Sequence, residues 1–516
     1  MDHTEQHIVA IDLGTSKIAL VVVKVNGDDV QVVYHKETAS AGILNRGVTN
    51  MVNASIPLQH LIKDAEESLN IKINQAVIGM PKFPIRQEAN SGKIEDRGEY
   101  TEITQENVED LKRFAQDSYP LPSNVKEAIY GAVAQSFSDG ENFQIKEEDI
   151  VGMSSDVLEG HFKIFIGKRK ELMNADALLA KVGISAIRKY FTADTTARVI
   201  LSETEMDNGV ALVDFGGGST SVTIYHDGIL RHYASIPFGG KSITHDVKSE
   251  LQITERLAEN IKLAFGACMP DKLQSLSEKV IQIRSNSSEG DKSLSVKYLS
   301  EIITARVEEI MMAILYEIEI SGFADRLRSG IVITGGCAQM ANLGNFIYDI
   351  SGFRVRTGYA QNLFSHSGCE GLNETSATTS LGLLLAAKDD MGNCAHGEDT
   401  VEVVVPAADN PFDFPVETVP VTEEEAPETP VTEEEAEPQV EAEPVNEPVE
   451  EKEEEIQTTL FKDDEIEKVQ VVKKPKGTKP GISVIWTTLR KLSKSVTESA
   501  GNLYENVNQG IDNENV

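Results

Sequence analysis

A chain of 516 residues is longer than one hydrophobic core can organise, and its 40% hydrophobic content suits three or four folded domains. A formal charge of −35 and the lack of a long basic stripe in the folded body argue against nucleic acid as a ligand. No run of about 18 apolar residues is available to span a bilayer, no basic signal-peptide region precedes the first strand, and four cysteines without CxxC spacing (Cys268, Cys337, Cys369, Cys394) argue against a disulfide framework or zinc site and fit a reduced cytosolic setting.

The first patterned segment, HIVAIDLGTSKIALVVVKVNG from His7 to Gly27, reads as an apolar strand, an Asp, a Gly/Thr/Ser turn, a second alternating strand and an Asn-Gly turn. Another strand is expected near Val30 to Lys36, a helix over 56–70 from apolar positions at helical spacing, and a short strand from Ala76 to Met80. Between 84 and 165 the pattern changes. Alternating stretches (FPIRQEANSGKI, HFKIFIGKR) flank one helical segment, ITQENVEDLKRFAQD, and predict a small inserted α+β domain. The run ADTTARVILSE then brings the chain back to a first lobe as a helix.

Gly209 to Gly228, GVALVDFGGGSTSVTIYHDG, repeats the first hairpin in altered form. Asp12 and Asp214 stand 202 positions apart, too far for solenoid repeats and suited to two duplicated lobes. Gly14, Gly216, Gly217 and Gly218 would let backbone amides approach phosphate oxygens with no Cβ in the way. Thr15, Ser16, Ser219 and Thr220 add hydroxyl donors, Lys17 a point charge, and the carboxylates of Asp12 and Asp214 could hold a hydrated Mg2+ between the lobes. Ordinary turn glycines would explain one such hairpin, but explain a pair of them poorly.

Further on, Gly239 and Gly240 fall between a strand and a helix, where N-terminal amides could meet an anion. TERLAENIKLAF places Glu259 and Lys262 three apart on one helix face, a spacing that a solvated ion pair also explains. SGIVITGGCAQMANL, from Ser329, predicts a buried strand, a turn at Gly335 and Gly336 open to a flat purine, and a helix start. A final helix, Ser376 to Lys388, carries Ala377 and Gly382 for close packing against the helix around 193–203, as a hinge.

Residues 401–470 hold 24 acidic against 3 basic side chains and nine prolines, the composition of a disordered, charge-extended linker. Beyond it, Ile482, Ile485, Trp486, Leu489, Leu492 and Val496 recur three or four apart on one helical stripe, with Arg490, Lys491 and Lys494 projecting elsewhere. From 471 to 497 there are seven basic residues and no acidic one, so this amphipathic helix is suited to lie in an anionic membrane surface, a helix docking on a partner being the alternative.

With both hairpins, the Gly-Gly turn and two hinge helices in that order, the chain resembles the actin-like ATPase superfamily; the short insertion at 84–165 and the amphipathic tail make it similar to the FtsA family of bacterial cell-division proteins. The resemblance implies an α/β actin-like ATPase fold of two duplicated lobes. The first lobe core would be 1–83 and 166–206, with 375–390 returning to it, and 84–165 inserted in it; the second would be 207–242 and 326–374 with a small subdomain at 243–325. A linker at 391–480 and a membrane-binding helix at 481–507 would follow. It implies ATP and Mg2+ as cofactors, phosphate contacts from both hairpins, ribose or base contacts from Glu259 and Lys262 in the matching Ala-Glu-x-Ile-Lys helix, and an adenosine turn at Gly335 and Gly336 with Gln339 beside it. It also implies capture of the FtsZ C-terminal tail by Arg306 and Glu309, head-to-tail self-assembly, recruitment of later division proteins, and a place on the cytoplasmic face of the inner membrane at the septum. The stretch Ala193 to Arg198 is more polar than the family's hinge helix, and no residue stands out as a general base for an attacking water. An actin-fold kinase, a chaperone-like ATPase and a pilus-type scaffold are the competing readings. No acceptor-pocket carboxylate is apparent beside the hairpins, and the linker stands where a peptide-binding domain would be.

Overall fold

The computed structural model describes residues 6–26, 29–95, 101–283, 292–361, 365–366, 369, 371–390 and 395–397. All of these fall in one compact unit. Gly27, Cys394, nearly all of the 391–480 linker and the whole 481–507 foot, with Ile482, Ile485, Trp486, Leu489, Arg490, Lys491, Leu492, Lys494 and Val496, lie outside the described residues.

Two sheets repeat one topology. In the first, strands Asp29–Ala39, Lys17–Asn26 and Gln6–Leu13 form an antiparallel meander, continued in parallel by Gln75–Gly79 and Ser185–Tyr190. The second runs Ile229–Ile236, Thr220–His226, Val210–Phe215, then in parallel Ile331–Thr334 and Val355–Thr357. Parallel neighbours need a crossover, and the helices Met51–Leu69 and Val296–Ile320 supply it in each half. The first is capped by Asn50, whose side chain accepts from the Asn53 amide, and buries Ala54, Leu58, Leu61, Ile62 and Ala65 at helical spacing. Ser295 caps the second by accepting from the Tyr298 amide.

The central strand Val210–Phe215 is buried on both faces, and its period of two divides it between cores. Val210 and Leu212 pack with the first sheet and the hinge helices, whereas Ala211, Val213 and Phe215 pack with the helices of the second lobe. Residues 84–165 form their own three-stranded sheet, in the order Ile85–Ile94, Leu158–Lys168, Glu127–Ser138, with helix Gln105–Asp117 over a separate core around Phe137, Phe162 and Leu111. Its last strand runs to Lys168, past the expected boundary. The insertion lies against the edge of the second lobe: the Gln87 amide meets His232 Nδ1 at 2.7 Å, Gln135 donates to the Leu230 carbonyl at 2.9 Å, and Lys163 donates to the Arg231 carbonyl.

Three expectations differ from the structure. Residues 365–366, placed by sequence in the second lobe, pair in parallel with Gln31 and Val32 at the edge of the first sheet, where the outer meander strand has an open side. Ala395–Gly397, expected in the disordered linker, pairs with Ile71–Ile73. After Gly335 the chain makes only a single 3-10 turn, Gly336–Gln339, and the helix begins at Leu343, because Asn342 turns left-handed between them.

The polar hinge packs closely. Helix Thr192–Ile200 crosses helix Thr378–Asp390, and a Cβ on Gly382 would stand 2.5 Å from the Thr195 carbonyl oxygen and 3.0 Å from the Thr196 amide nitrogen. Buried hydroxyls return to their own helix turns, Thr195 to the Thr192 carbonyl and Ser380 to the Ala377 carbonyl, so these threonines and serines pack as small residues. Gly382→Ala should destabilise the protein by about 1–3 kcal/mol through overpacking against backbone that cannot move aside. Urea unfolding measures it; a loss no larger than that of an exposed Gly→Ala change would contradict the contact.

Candidate functional site

Each hairpin ends its first strand one residue after the aspartate: Asp12 precedes the strand end at Leu13, and Asp214 the strand end at Phe215. Because the two sheets share a topology, both carboxylates arrive at the same cleft between the lobes. The cleft, of about 430 Å³, is lined by Asp12, Gly14, Thr15, Ser16 and Lys17 on one side and by Asp214, Gly216, Gly217, Gly218 and Ser219 on the other, with Gly240, Glu259, Lys262, Gly335, Gly336 and Gln339 along its far end. A shallower groove of about 730 Å³ around Tyr348, Arg354 and Tyr359 contains neither hairpin and none of the paired carboxylates.

The turns meet across the cleft. A Cβ on Gly217 would fall 2.1 Å from Ser16 Oγ, and one on Gly218 would fall 2.5 Å from Thr15 Oγ1, so only glycine allows this approach. Among the described residues the amides of Gly217 and Gly218 donate to no protein acceptor, which leaves them for solvent or an anion. Gly335 has φ 87°, and a Cβ there would meet Asp214 Oδ1 at 2.5 Å; one on Gly336 would meet nothing within 4 Å, which leaves space for a flat ring.

Most of the charged groups already hold one another. Asp214 is paired with Lys82, which also donates to Thr379 Oγ1 at 3.1 Å on the hinge helix. Burial raises the Asp12 pKa above the ordinary carboxylate value despite the nearby Lys82 and Lys17. Burial would lower the Lys82 pKa, but the carboxylates of Asp214 and Asp12 outweigh it and hold the ammonium charged. Lys17 pairs with Glu37, whose pKa burial would raise but which hydrogen bonds from His35 and Lys17 bring down. Lys262 is buried, donating to the Gly240 carbonyl at 3.0 Å, Thr244 Oγ1 at 2.8 Å and Glu259 at 2.8 Å. Gln339 donates to Glu374 at 3.1 Å. Burial pushes the Cys337 thiol up to about 11, making it an uncharged wall.

Some expected residues stand behind the cleft or away from it. Thr220 is fully buried and gives its hydroxyl to the Phe238 carbonyl. Gly239 does not line the cleft; it backs the glycine turn of the second hairpin, where a Cβ would lie 2.4 Å from the Gly216 carbonyl oxygen. The helix amides expected to meet an anion are spent on that turn, with Gly240 N donating to Gly216 O at 2.9 Å and Lys241 N to Gly217 O at 2.8 Å. Arg306 lies outside the cleft, forked onto Asp246 and 2.7 Å from Glu309.

Sequence reasoning missed Lys82 and Glu171. Lys82 sits just beyond the strand Gln75–Gly79 that neighbours the first hairpin, so its lobe could be read from sequence, but its partner 132 positions away could not. Glu171 lines the cleft from helix Arg169–Lys181, and burial raises its carboxyl pKa. The residues fit a nucleotide through the open amides, the glycine approach and the space over Gly336. For Mg2+ they supply two carboxylates, and no cluster of three metal-binding side chains occurs among the described residues, so phosphate oxygens and water would have to complete the shell.

Comparison with known proteins follows the same lines. The sequence profile of the family described as "Cell division protein FtsA" matches residues 211–382. The chain is 29% identical over 403 residues to the cell division protein FtsA of Neisseria meningitidis, a match covering 77% of this chain and 94% of that one. The FtsA of Pseudomonas aeruginosa is 27% identical, covering 68% and 82%. Among solved structures, a PilM-PilN type IV pilus biogenesis complex superposes with TM-score 0.53 at 12% identity, over 73% of this chain and 98% of that one. The fold is thus the expected actin-like ATPase fold.

A raised Asp12 pKa means that folding favours the protonated acid. Stability is therefore greatest below the ordinary carboxyl value and falls as pH rises through the higher folded value. Asp12→Asn should remove that decline and raise the melting temperature of nucleotide-stripped protein at neutral pH. A variant whose pH profile parallels the wild type would contradict the burial cost.

Proposed function

We propose that this chain, a relative in sequence of the FtsA cell-division proteins with the actin-like ATPase fold, acts in cell division as an ATP-binding, self-assembling membrane adapter that anchors FtsZ filaments to the inner membrane. The observation that carries the nucleotide part is the meeting of the two glycine turns, Gly217 on Ser16 and Gly218 on Thr15, with open amides beside a carboxylate from each lobe. A triphosphate bound there touches both lobes and favours their closed arrangement, which alters the surfaces available for head-to-tail assembly. In this reading Mg2+ is held by the phosphates with Asp12 and Asp214, and the purine lies over Gly335 and Gly336.

The attachment to membrane rests on the sequence of the tail: an apolar stripe with the chain's single Trp, seven basic residues from 471 to 497, and an acidic linker that keeps a negatively charged body from an anionic surface. The FtsZ tail is assigned to the helix face bearing Arg306 and Glu309, where an incoming carboxylate would share the Arg306 fork with Asp246. Later division proteins would be recruited by the assembled, membrane-bound form.

Full-length protein should float with anionic vesicles and a chain ending at residue 480 should not; equal flotation removes the membrane foot. On such vesicles ATP should promote sedimentable filaments with the 84–165 domain as a contact, and no assembly under any condition would refute that part. Asp12→Ala and Asp214→Ala should each weaken Mg-ATP binding about tenfold or more, or about 1.4 kcal/mol, by calorimetry. Unchanged affinity in both would remove the nucleotide clamp.

A further inference from the structure

One cation of the cleft acts on the aspartates of both hairpins without belonging to either hairpin. Lys82 leaves the first lobe just after the strand Gln75–Gly79, crosses to the second lobe and pairs with Asp214. Its ammonium also donates to Thr379 Oγ1 at 3.1 Å on the hinge helix, and the Asp12 carboxylate acts on it electrostatically from the first lobe. Its backbone is pinned as well, because the Tyr233 hydroxyl of the second lobe donates to the Lys82 carbonyl at 2.7 Å. The side chain is thus held by the second lobe and the hinge, with the Asp12 charge acting on it from the first lobe.

We propose that Lys82 is the built-in cation of this cleft: its ammonium takes the place between Asp12 and Asp214 that a divalent ion would otherwise take, so that metal enters only together with phosphate groups that draw the ammonium off Asp214. Two carboxylates facing each other in a low-dielectric cleft repel, and one positive charge shared between them relieves that repulsion. An ammonium and a divalent ion sharing Asp214 would repel each other at close range, so each weakens the hold of the other. Mg2+ requires about six oxygens in a near-octahedral shell; Glu37 and Glu259 of the cleft wall are already paired with Lys17 and Lys262, and no three metal-binding side chains cluster among the described residues, so the ion alone gains too little to displace a hydrogen-bonded lysine. Phosphate oxygens change that balance by giving the metal further ligands and the ammonium a new partner. Only this last step rests on the nucleotide reading; the occupation of the metal position by Lys82 does not.

The test uses the full-length chain stripped of nucleotide, with thermal unfolding followed with and without millimolar MgCl2. Wild type and Lys82→Arg, which keeps the charge, should melt at the same temperature with and without Mg2+. Lys82→Met should melt lower without the metal and recover most of the loss with it, because Mg2+ then replaces the missing charge. Wild type responding to Mg2+ as strongly as Lys82→Met, or Lys82→Met not responding, would overturn the proposal. Should Lys82→Met fail to fold, paramagnetic titration of wild type with Mn2+ decides: tight Mn2+ binding by the stripped protein overturns the proposal, and its appearance only when ATP is added supports it. If ATP does not bind the wild type at all, the nucleotide reading fails, while the melting comparison still judges whether Lys82 holds the metal position.

Discussion

The contact between hinge helices at Gly382 is the constraint from which the geometry of the cleft follows. A carbonyl of helix Thr192–Ile200 lies where a side chain of helix Thr378–Asp390 would begin, so the two backbones are held at contact distance. Gly79 repeats the device one layer on, since a Cβ there would stand 2.4 Å from Thr192 Cγ2. The first strand sheet, the hinge and one face of Val210–Phe215 thereby share a single core, and the two hairpins are brought turn to turn. A looser crossing would separate Ser16 from Gly217, and the cleft would have one wall.

Within that cleft most of the charged groups hold one another. Lys262 is held by Gly240, Thr244 and Glu259, Lys17 by Glu37, and Asp214 by Lys82. Such arrangements are strong where desolvated and costly to break on one side only, so a ligand gains most where it offers a replacement partner. The amides of Gly217 and Gly218 are different, being open already. The groups left open for an anion are therefore backbone amides, while the side chains around them are mostly paired with one another.

The helix Gly240–Leu251 illustrates how a correct motif acquires a different role. Its glycine pair does lie between strand and helix, but its first amides brace the carbonyls of Gly216 and Gly217. Helix and turn are thereby joined through backbone hydrogen bonds, and the amides left open are those of the turn. In the same way the polar stretch Ala193 to Arg198 is compatible with a tight hinge because its threonines are small and buried and the Thr195 hydroxyl bonds back to the Thr192 carbonyl, a consequence that residue polarity alone does not convey.

What could be read from sequence was local: the strand–Asp–turn–strand hairpins, the amphipathic helices, the inserted domain and the Gly-Gly turn all declare themselves through periodicity and residue type within a few tens of positions. The duplication added one long-range fact, that two such turns belong together. Tertiary structure alone decided which groups meet. Lys82 finds Asp214 across 132 positions, residues 365–366 close the edge of the first sheet, and Thr220 turns inward to Phe238 while its neighbour Ser219 lines the cleft. Sequence patterns record the face and period of a segment, whereas the partner of a charge depends on how the lobes are packed, and that is settled by backbone contact at the hinge.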